Sequence, residues 1–345
     1  MTNLNISLDI ATIIQPFLLA FFAFVLAMAI TPLYTTLAYK HEWWKKARTK
    51  AVTGESATVY QKLHAEKHRH NIPTMAGVIF VMSILLVTVV ANLSRSDTWL
   101  PLAAMVGAGC IGLVDDILNI RGFGGGIAGM SASVKSLLIF LVATLGGWWF
   151  YFKLDVSSIH VPFLGTLTLG ILIIPLFIFI VIACANAVNI SDGLDGLAGG
   201  LSVSAFSAYA VIAMIEGRYG VAGFCLTIVG ALLSYTWFNV FPARFFMGDV
   251  GSFALGTALG VVAMLTDTVL ILPVIAIVFV TEAGSSLIQI LSKRLRGGKK
   301  IFLIAPIHHH FEASGWPETK VTMRFWIVGQ ISAVLGILLF LLGRT

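Results

Sequence analysis

An all-α fold, a polytopic integral membrane protein with about ten transmembrane helices, is predicted by three features of the chain. Of its 345 residues 58% are hydrophobic and only 11% charged, against about a quarter charged in a soluble domain. The apolar residues gather into runs long enough to cross a hydrocarbon core of ~30 Å. The basic residues alternate between rich and poor loops, the pattern that orients membrane helices. One bundle is therefore expected, with residues 1–345 forming a single membrane domain. Cys110, Cys184 and Cys225 stand apart in or beside apolar runs, which suits packing and excludes a disulfide framework or structural zinc site. The first run is too long, and too poor in preceding basic residues, for a cleaved signal peptide.

In order, the runs are Ile13–Ala38, Thr74–Ala91, Trp99–Val114, Val134–Phe152, Leu164–Ala185, Leu197–Ile215, Val221–Phe241, Gly251–Leu265, Val269–Leu291 and Phe325–Leu342. Pro16, Pro32, Pro175 and Pro273 fall inside runs, where a membrane helix tolerates a kink. Loops following the odd-numbered runs hold about 18 of the 22 Lys and Arg residues, mainly in Lys40–Arg69 and Lys293–Arg324. By the positive-inside rule these loops are cytoplasmic and both termini lie on the periplasmic side. The functional loops are then about 40–73, 115–133, 186–196, 242–250 and 292–324. The net charge of +6 follows from this topology. No nucleic-acid-binding module is present, because the basic stretches have no folded scaffold.

Acidic residues converge on the same side, although the basic residues alone defined it. Asn186, Asn189, Asp192 and Asp195 recur every third residue between two runs; on a helix each consecutive pair lies on adjoining faces and can meet one ligand. Gly193 and Gly196 let a backbone or ligand approach closely. A capped turn uses the same residue types, but needs neither two carboxylates nor two carboxamides in register. Asp115-Asp116 close the third run. Vicinal carboxylates suit a Mg2+-held diphosphate, and negative charge at a helix C-terminus opposes the macrodipole, so decoration is disfavoured. Phe245-Phe246-Met-Gly248-Asp249-Val-Gly251-Ser252 opens the eighth run. There Asp249 can gather phosphate or metal at a helix N-terminus or act as an ordinary cap, and an aromatic ring three residues earlier can stack a base.

His308-His309-His310 precede Glu312 in the ninth loop. In extended chain His308 and His310 share a face and His309 opposes them. Zinc lacks further ligands at proper spacing, so phosphate binding or leaving-group orientation fits better. Glu282, inside the ninth run, faces the bundle interior or a structural partner. The basic run His64–His70 is either a phosphate-binding edge or a topology signal drawn to anionic lipid. Arg121-Gly-Phe-Gly124-Gly125-Gly126 follows no strand and reads as a loop.

Together Val114-Asp-Asp116, Asn186-Ala-Val-Asn-Ile-Ser-Asp-Gly-Leu-Asp-Gly196, Phe246-Met-Gly-Asp249-Val-Gly-Ser and Ala305-Pro-Ile-His-His-His310-Phe-Glu resemble the motifs of the polyprenyl-phosphate N-acetylhexosamine-1-phosphate transferases. The resemblance runs from about Pro73 to the C-terminus. The histidine triplet, Gly315-Trp-Pro317 and Arg324-Phe-Trp326 are most similar to the phospho-N-acetylmuramoyl-pentapeptide transferase branch. It implies a multi-pass enzyme of the bacterial cytoplasmic (inner) membrane, often a homodimer. The implied reaction moves phospho-MurNAc-pentapeptide from UDP-MurNAc-pentapeptide to undecaprenyl phosphate, giving lipid I and UMP, with Mg2+ as cofactor.

Carried onto this chain, Asp249 is the principal implied Mg2+ ligand, with Asp115 and Asp116 beside it and His308 as the fourth catalytic residue. Phe246 is implied to stack on uracil. Thr74, Asn189, Asp192, Asp195, Asn239, Gln289 and His309 line the implied nucleotide-sugar pocket; Arg69, Asn186 and His310 complete the expected substrate-binding set. The chain departs from the family at Asn119 and Leu303, where basic residues are usual, and at Arg69, where lysine is usual. Arg69 keeps charge without the point-charge geometry, and the other two losses weaken stabilisation of a diphosphate. A phosphate monoester has a second pKa near ~6, so the acceptor is mostly dianionic at neutral pH and Asp115 or Asp116 is expected to position it and the metal. Two alternatives stand: a sibling transferase for another UDP-N-acetylhexosamine, and a transporter. Transporters place charges near the midplane, often across inverted repeats, and neither feature is visible.

Overall fold

A computed structural model describes residues 10–44, 71–122 and 129–344. Nine of the ten apolar runs each contain one α-helix, and the ninth divides into two. The first three are α1 (Ile10–Lys40), α2 (Gly77–Ala91) and α3 (Trp99–Arg121), and α4 is Ala132–Phe152. A two-stranded antiparallel hairpin follows, β1 (Ser158–Val161) against β2 (Gly165–Thr168). Then come α5 (Ile173–Ser191), α6 (Leu197–Ile215), α7 (Tyr219–Asn239) and α8 (Gly248–Leu265). The ninth run divides into α9 (Leu272–Ile275) and α10 (Ile277–Leu295); α11 (Ile307–Ala313) and α12 (Glu318–Gly343) complete the chain. Among the described residues eight helices are long and apolar enough to cross a membrane; α2, at 15 residues, is shorter.

Helix α8 is the hub. Within its span 94% of residues are buried, against 22% in α1 and 28% in α12. It packs on α3, α5, α2 and α6. Absent side chains allow this density: a Cβ on Gly112 of α3 would lie 2.2 Å from Asp249 O, and one on Gly77 of α2 2.4 Å from Gly251 N. One on Gly256 would meet Cys184 O at 2.4 Å, where α8 crosses α5. Membrane helices gain nothing from burying apolar surface that lipid would cover equally well, so close backbone approach carries the association. The outer helices α1 and α12 keep broad apolar faces exposed (Phe17, Phe21, Leu335, Leu342), as lipid contact requires.

Several boundaries differ from the sequence-based expectation. The fifth helix begins at Ile173 because Leu164–Thr168 belong to the hairpin, whose apolar side chains extend the hydropathy of the run. The third helix continues five residues past Asp116 to Arg121, more than a full turn, so the macrodipole at its C-terminus bears little on Asp115 and Asp116. The fifth ends at Ser191, leaving Asp192 and Asp195 in a turn. The histidine triplet is helical rather than extended. Pro16 and Pro32 are internal to α1, whereas Pro175 and Pro273 occupy first turns, where the missing N–H costs no hydrogen bond.

Candidate active site

The first turn of α8 brings three carboxylates together. Gly248, at φ +71°, turns the chain into the helix with so little clearance that a Cβ there would lie 2.3 Å from Asp116 Oδ2 and 3.0 Å from Thr74 Oγ. Asp116 is fully buried and accepts a hydrogen bond from Val250 N (3.2 Å). It thus caps α8 from a neighbouring helix, satisfying a donor that has no partner within its own helix. Asp249, in that first turn, is thereby released from capping; its Oδ1 accepts from Asn189 Nδ2 (3.3 Å), which also donates to Ser252 Oγ (2.8 Å).

Asp249 Oδ2 accepts a second bond from Lys135 Nζ (3.0 Å), and the same ammonium reaches Asp115 Oδ2 (3.2 Å). Met130 N holds the other oxygen of Asp115 at 2.6 Å. Gly129 (φ +80°) permits that clasp, since a Cβ there would meet Asp115 Oδ1 at 2.7 Å. Two carboxylates from α3 and α8 therefore bracket one cation delivered by the first turn of α4. The side chain of Lys135 is 24% exposed and that of Asp249 16%, so the cluster opens to the surface, whereas Asp115 at 2% lies behind it. Asn119 supplies no charge, yet the site has its lysine. Sequence reading passed over Lys135; its signal was a lone charge one residue inside a predicted span, which is costly without a partner.

A second part of the candidate site is the turn after α5. Asp195 Oδ2 accepts from Ala243 N (2.9 Å), and Asp195 N donates to Glu318 Oε1 (2.7 Å). Asn239 Oδ1 accepts from Gly196 N (3.0 Å), while its amide donates to Phe245 O (2.9 Å). Trp326 Nε1 closes the turn by donating to Gly196 O (3.1 Å). Asp195 and Asn239 thus brace this turn, and Glu318 and Trp326, which the sequence reading did not assign to it, hold it from α12. Gly196 is required by its backbone, φ +75°.

The remaining expected residues divide. Asp192 follows α5 directly, its N–H bonded to Asn189 O (3.3 Å). Asn186 points away: it is exposed and its amide donates to Ile182 O of its own helix (2.8 Å). Thr74 is buried, with its N–H on Trp43 O (2.8 Å) and its carbonyl accepting Tyr34 Oη (2.5 Å). Phe246 is half-buried and joined through its backbone to Pro73 and Ala76, whereas Phe245 sinks among Tyr34, Tyr235 and Phe238. Gln289 accepts from Ile301 N and Phe302 N (3.0 and 3.1 Å) and donates to Phe302 O, pinning the ninth loop.

His308 Nδ1 lies 2.8 Å from Glu282 Oε2 and His309 Nδ1 2.7 Å from Glu312 Oε2; His310 Nδ1 accepts from Leu303 N (3.2 Å). Glu282 therefore faces the interior and has a partner. Arg69 with the His64–His70 run, and the Gly124–Gly126 run, lie outside the described residues.

Among the described residues no three His, Cys, Asp or Glu side chains come together at metal-binding spacing. Magnesium does not need three, because it keeps several waters and binds through one or two carboxylates plus substrate phosphates. Asp115 and Asp249, hard oxygen donors that already share a cation, fit that requirement. Asp116 stands back from it as the cap of α8.

A family profile described as "Glycosyl transferase family 4" matches residues 98–267, the stretch from α3 through α8. A phospho-N-acetylmuramoyl-pentapeptide-transferase of Chloroflexus aurantiacus is 37% identical over 338 residues, covering 94% of this chain and 89% of the relative. That of Clostridium novyi is 38% identical over 319 residues, 92% of this chain and 94% of the relative. One from a Geobacillus species reaches 40% over 280 residues, 77% and 82%. Similarity of this extent, spanning every element that builds the cluster, means that the chain belongs to the phospho-N-acetylmuramoyl-pentapeptide transferase family.

Proposed function

We propose that the whole chain acts as one transferase domain that moves phospho-MurNAc-pentapeptide from UDP-MurNAc-pentapeptide to undecaprenyl phosphate, yielding lipid I and UMP for peptidoglycan synthesis. A lipid-phosphate oxygen forms the new bond to the sugar-bearing phosphorus, and the bond from that phosphorus to UMP breaks. The observation that carries this reading is the pairing of Asp115 and Asp249 around Lys135 at the Gly112 crossing. Phosphoryl transfer asks mainly for positioning and for neutralisation of charge on oxygens. Lys135 supplies a mobile cation for a diphosphate, and the carboxylates hold it until substrate arrives.

Asp249 and Asp115 are the residues that would hold Mg2+, which supplies Lewis-acid neutralisation of the phosphates when bound. Asn189 orients Asp249, and Asp116 fixes the helix end on which Asp249 sits. The Asp192–Gly196 turn, with Phe246 at the far side of Gly248, forms the nucleotide-sugar wall. The reaction side is cytoplasmic and the compartment a bacterial inner membrane, in keeping with the Lys- and Arg-rich ninth loop that carries the histidine triplet; the functional unit is taken as a homodimer on the family resemblance alone.

Purified protein in detergent should release UMP from UDP-MurNAc-pentapeptide only with undecaprenyl phosphate and Mg2+ present. Asp249→Ala should lower that rate at least ~10^3-fold while the protein stays folded by thermal melting. Undiminished UMP release by the variant would overturn the site. Release only with another UDP-N-acetylhexosamine would make the chain a sibling transferase.

A further inference from the structure

The mechanism above leaves unexplained a carboxylate and an imidazole buried together beside it. Glu282 in α10 is 0% exposed and His308 in α11 is 1% exposed. They meet at 2.8 Å through Glu282 Oε2 and His308 Nδ1. Each also carries a buried atom without a hydrogen-bond partner: Glu282 Oε1 and His308 Nε2. A pair kept for stability has no reason to look like this. Replacing buried paired polar groups by apolar ones of similar volume is often neutral or stabilising, and a buried polar atom left unsatisfied costs the desolvation that no hydrogen bond repays.

The direction of the unsatisfied nitrogen is informative. A Cβ built on Gly193 would lie 2.3 Å from His308 Nε2 and 2.9 Å from its Cε1. Unlike Gly196, Gly193 has no positive φ to account for its identity. The absent side chain at Gly193 is what lets the imidazole reach the wall, between Asp192 and the Asp195 brace. Glu282 fixes the opposite edge of the ring from a different helix. A carboxylate accepts only, so the nitrogen facing it must carry the hydrogen. The second nitrogen then holds the sole variable position, and a partner on one imidazole nitrogen sets what the other can do.

We propose that Glu282 is a positioning residue for the transfer reaction: it locks the ring orientation and tautomer of His308 so that Nε2, which carries no hydrogen in that tautomer, is presented past Gly193 as an acceptor for a hydroxyl or N–H of the nucleotide-sugar substrate. This rests on the transferase reading given above. Glu282 touches no substrate and acts through His308 alone. Glutamine at position 282 keeps the size but can donate as well as accept, so the tautomer is no longer enforced.

The test compares wild type, Glu282→Gln and His308→Asn in detergent, by UMP release, thermal melting and nitrogen NMR of histidine-labelled protein. The histidine signal missing in His308→Asn is that of His308. Glu282→Gln should lower kcat at least about tenfold while KM moves less than about twofold. It should melt no lower than wild type and should shift the His308 signal. A kcat within twofold of wild type, a loss of activity matched by a loss of folded protein, or an unmoved His308 signal would each overturn the proposal. If wild type releases no UMP, the transferase reading fails instead, and the His308 signal still reports whether Glu282 holds the ring.

Discussion

At the end of the bundle that carries the β-hairpin, acids are matched to individual donors. Arg218 donates to Asp97 (2.8 Å) and to the last carbonyl of α8, Leu265 O. Arg344 pairs with Glu216, and Asp267 accepts His160 N (2.7 Å). His160 Nε2 in turn lies 3.1 Å from Gly343 O, tying the hairpin to the end of α12. At the opposite end of α8 the arithmetic changes. Asp115 and Asp249 share one lysine, and His308 and Glu282 each keep a buried atom unsatisfied. Both ends bury charge beside the same central helix, so burial alone does not mark function. The difference is completion: one set of partners is closed, the other leaves negative charge and hydrogen-bonding capacity for something that arrives from outside. Local rules are broken where a site needs them broken.

Removing the shared cation should break that contrast most strongly. Lys135→Ala leaves the Asp115 and Asp249 carboxylates facing each other with no ammonium between them, and deprives an incoming diphosphate of its neutralising partner. UMP release should fall ~10^2–10^3-fold, the scale of losing one electrostatic stabiliser. Lys135→Arg should recover little, because a planar fork does not replace a point charge between two carboxylates. Steady-state kinetics at saturating Mg2+ would check this, and full activity in Lys135→Ala would remove lysine from the site.

Lys135 also shows where sequence reading stops. The spans were legible because apolar runs long enough to cross a hydrocarbon core have few alternatives, and Asp115, Asp116, Asp249 and the 186–196 stretch were legible because acids at span ends are rare and costly. What was not legible depends on pairings across long separations. Lys135 meets Asp249 over 114 residues, and Glu318 meets Asp195 N over 123. Asn186 obeyed the three-residue spacing yet turned to its own helix, since α5 ends at Ser191 and the residues beyond it follow a turn. Leu164–Thr168 were absorbed into a span because hydropathy does not separate a hairpin from a helix. Motifs name the chemistry; helix rotation and chain return decide which of their members meet.

The closed end offers the converse experiment. Arg218→Ala removes the Asp97 pair and the cap on Leu265 O, with both charged side chains about a quarter exposed (29% and 23%). Partial solvent screening limits the cost to about 1–2 kcal/mol. Thermal melting should record that loss, while kcat per folded molecule stays within about twofold of wild type. A tenfold fall in kcat without a change in stability would mean that this end takes part in the reaction.

The smallest effect expected comes from protonation at the same end. Burial raises the pKa of Asp267 above the usual carboxylate range, against the opposing pull of His160 N–H, His160 and Arg344. A carboxyl whose folded pKa lies above its unfolded value contributes most to stability below the unfolded value, near ~4. That contribution is lost as pH rises through the raised folded value. Between those limits the folded state binds more protons than the unfolded one, so stability from this group falls with increasing pH. Glu216 shifts in the same direction, chiefly by burial, and adds to the slope. Asp267→Asn keeps an oxygen able to accept His160 N–H but has nothing to ionise. Its melting temperature should therefore fall less than that of wild type when pH is raised from the acid range to neutrality. A slope steeper than wild type would show that the ionised carboxylate is the form this end was built to hold, and the contrast between a closed end and an open one would have to be drawn without it.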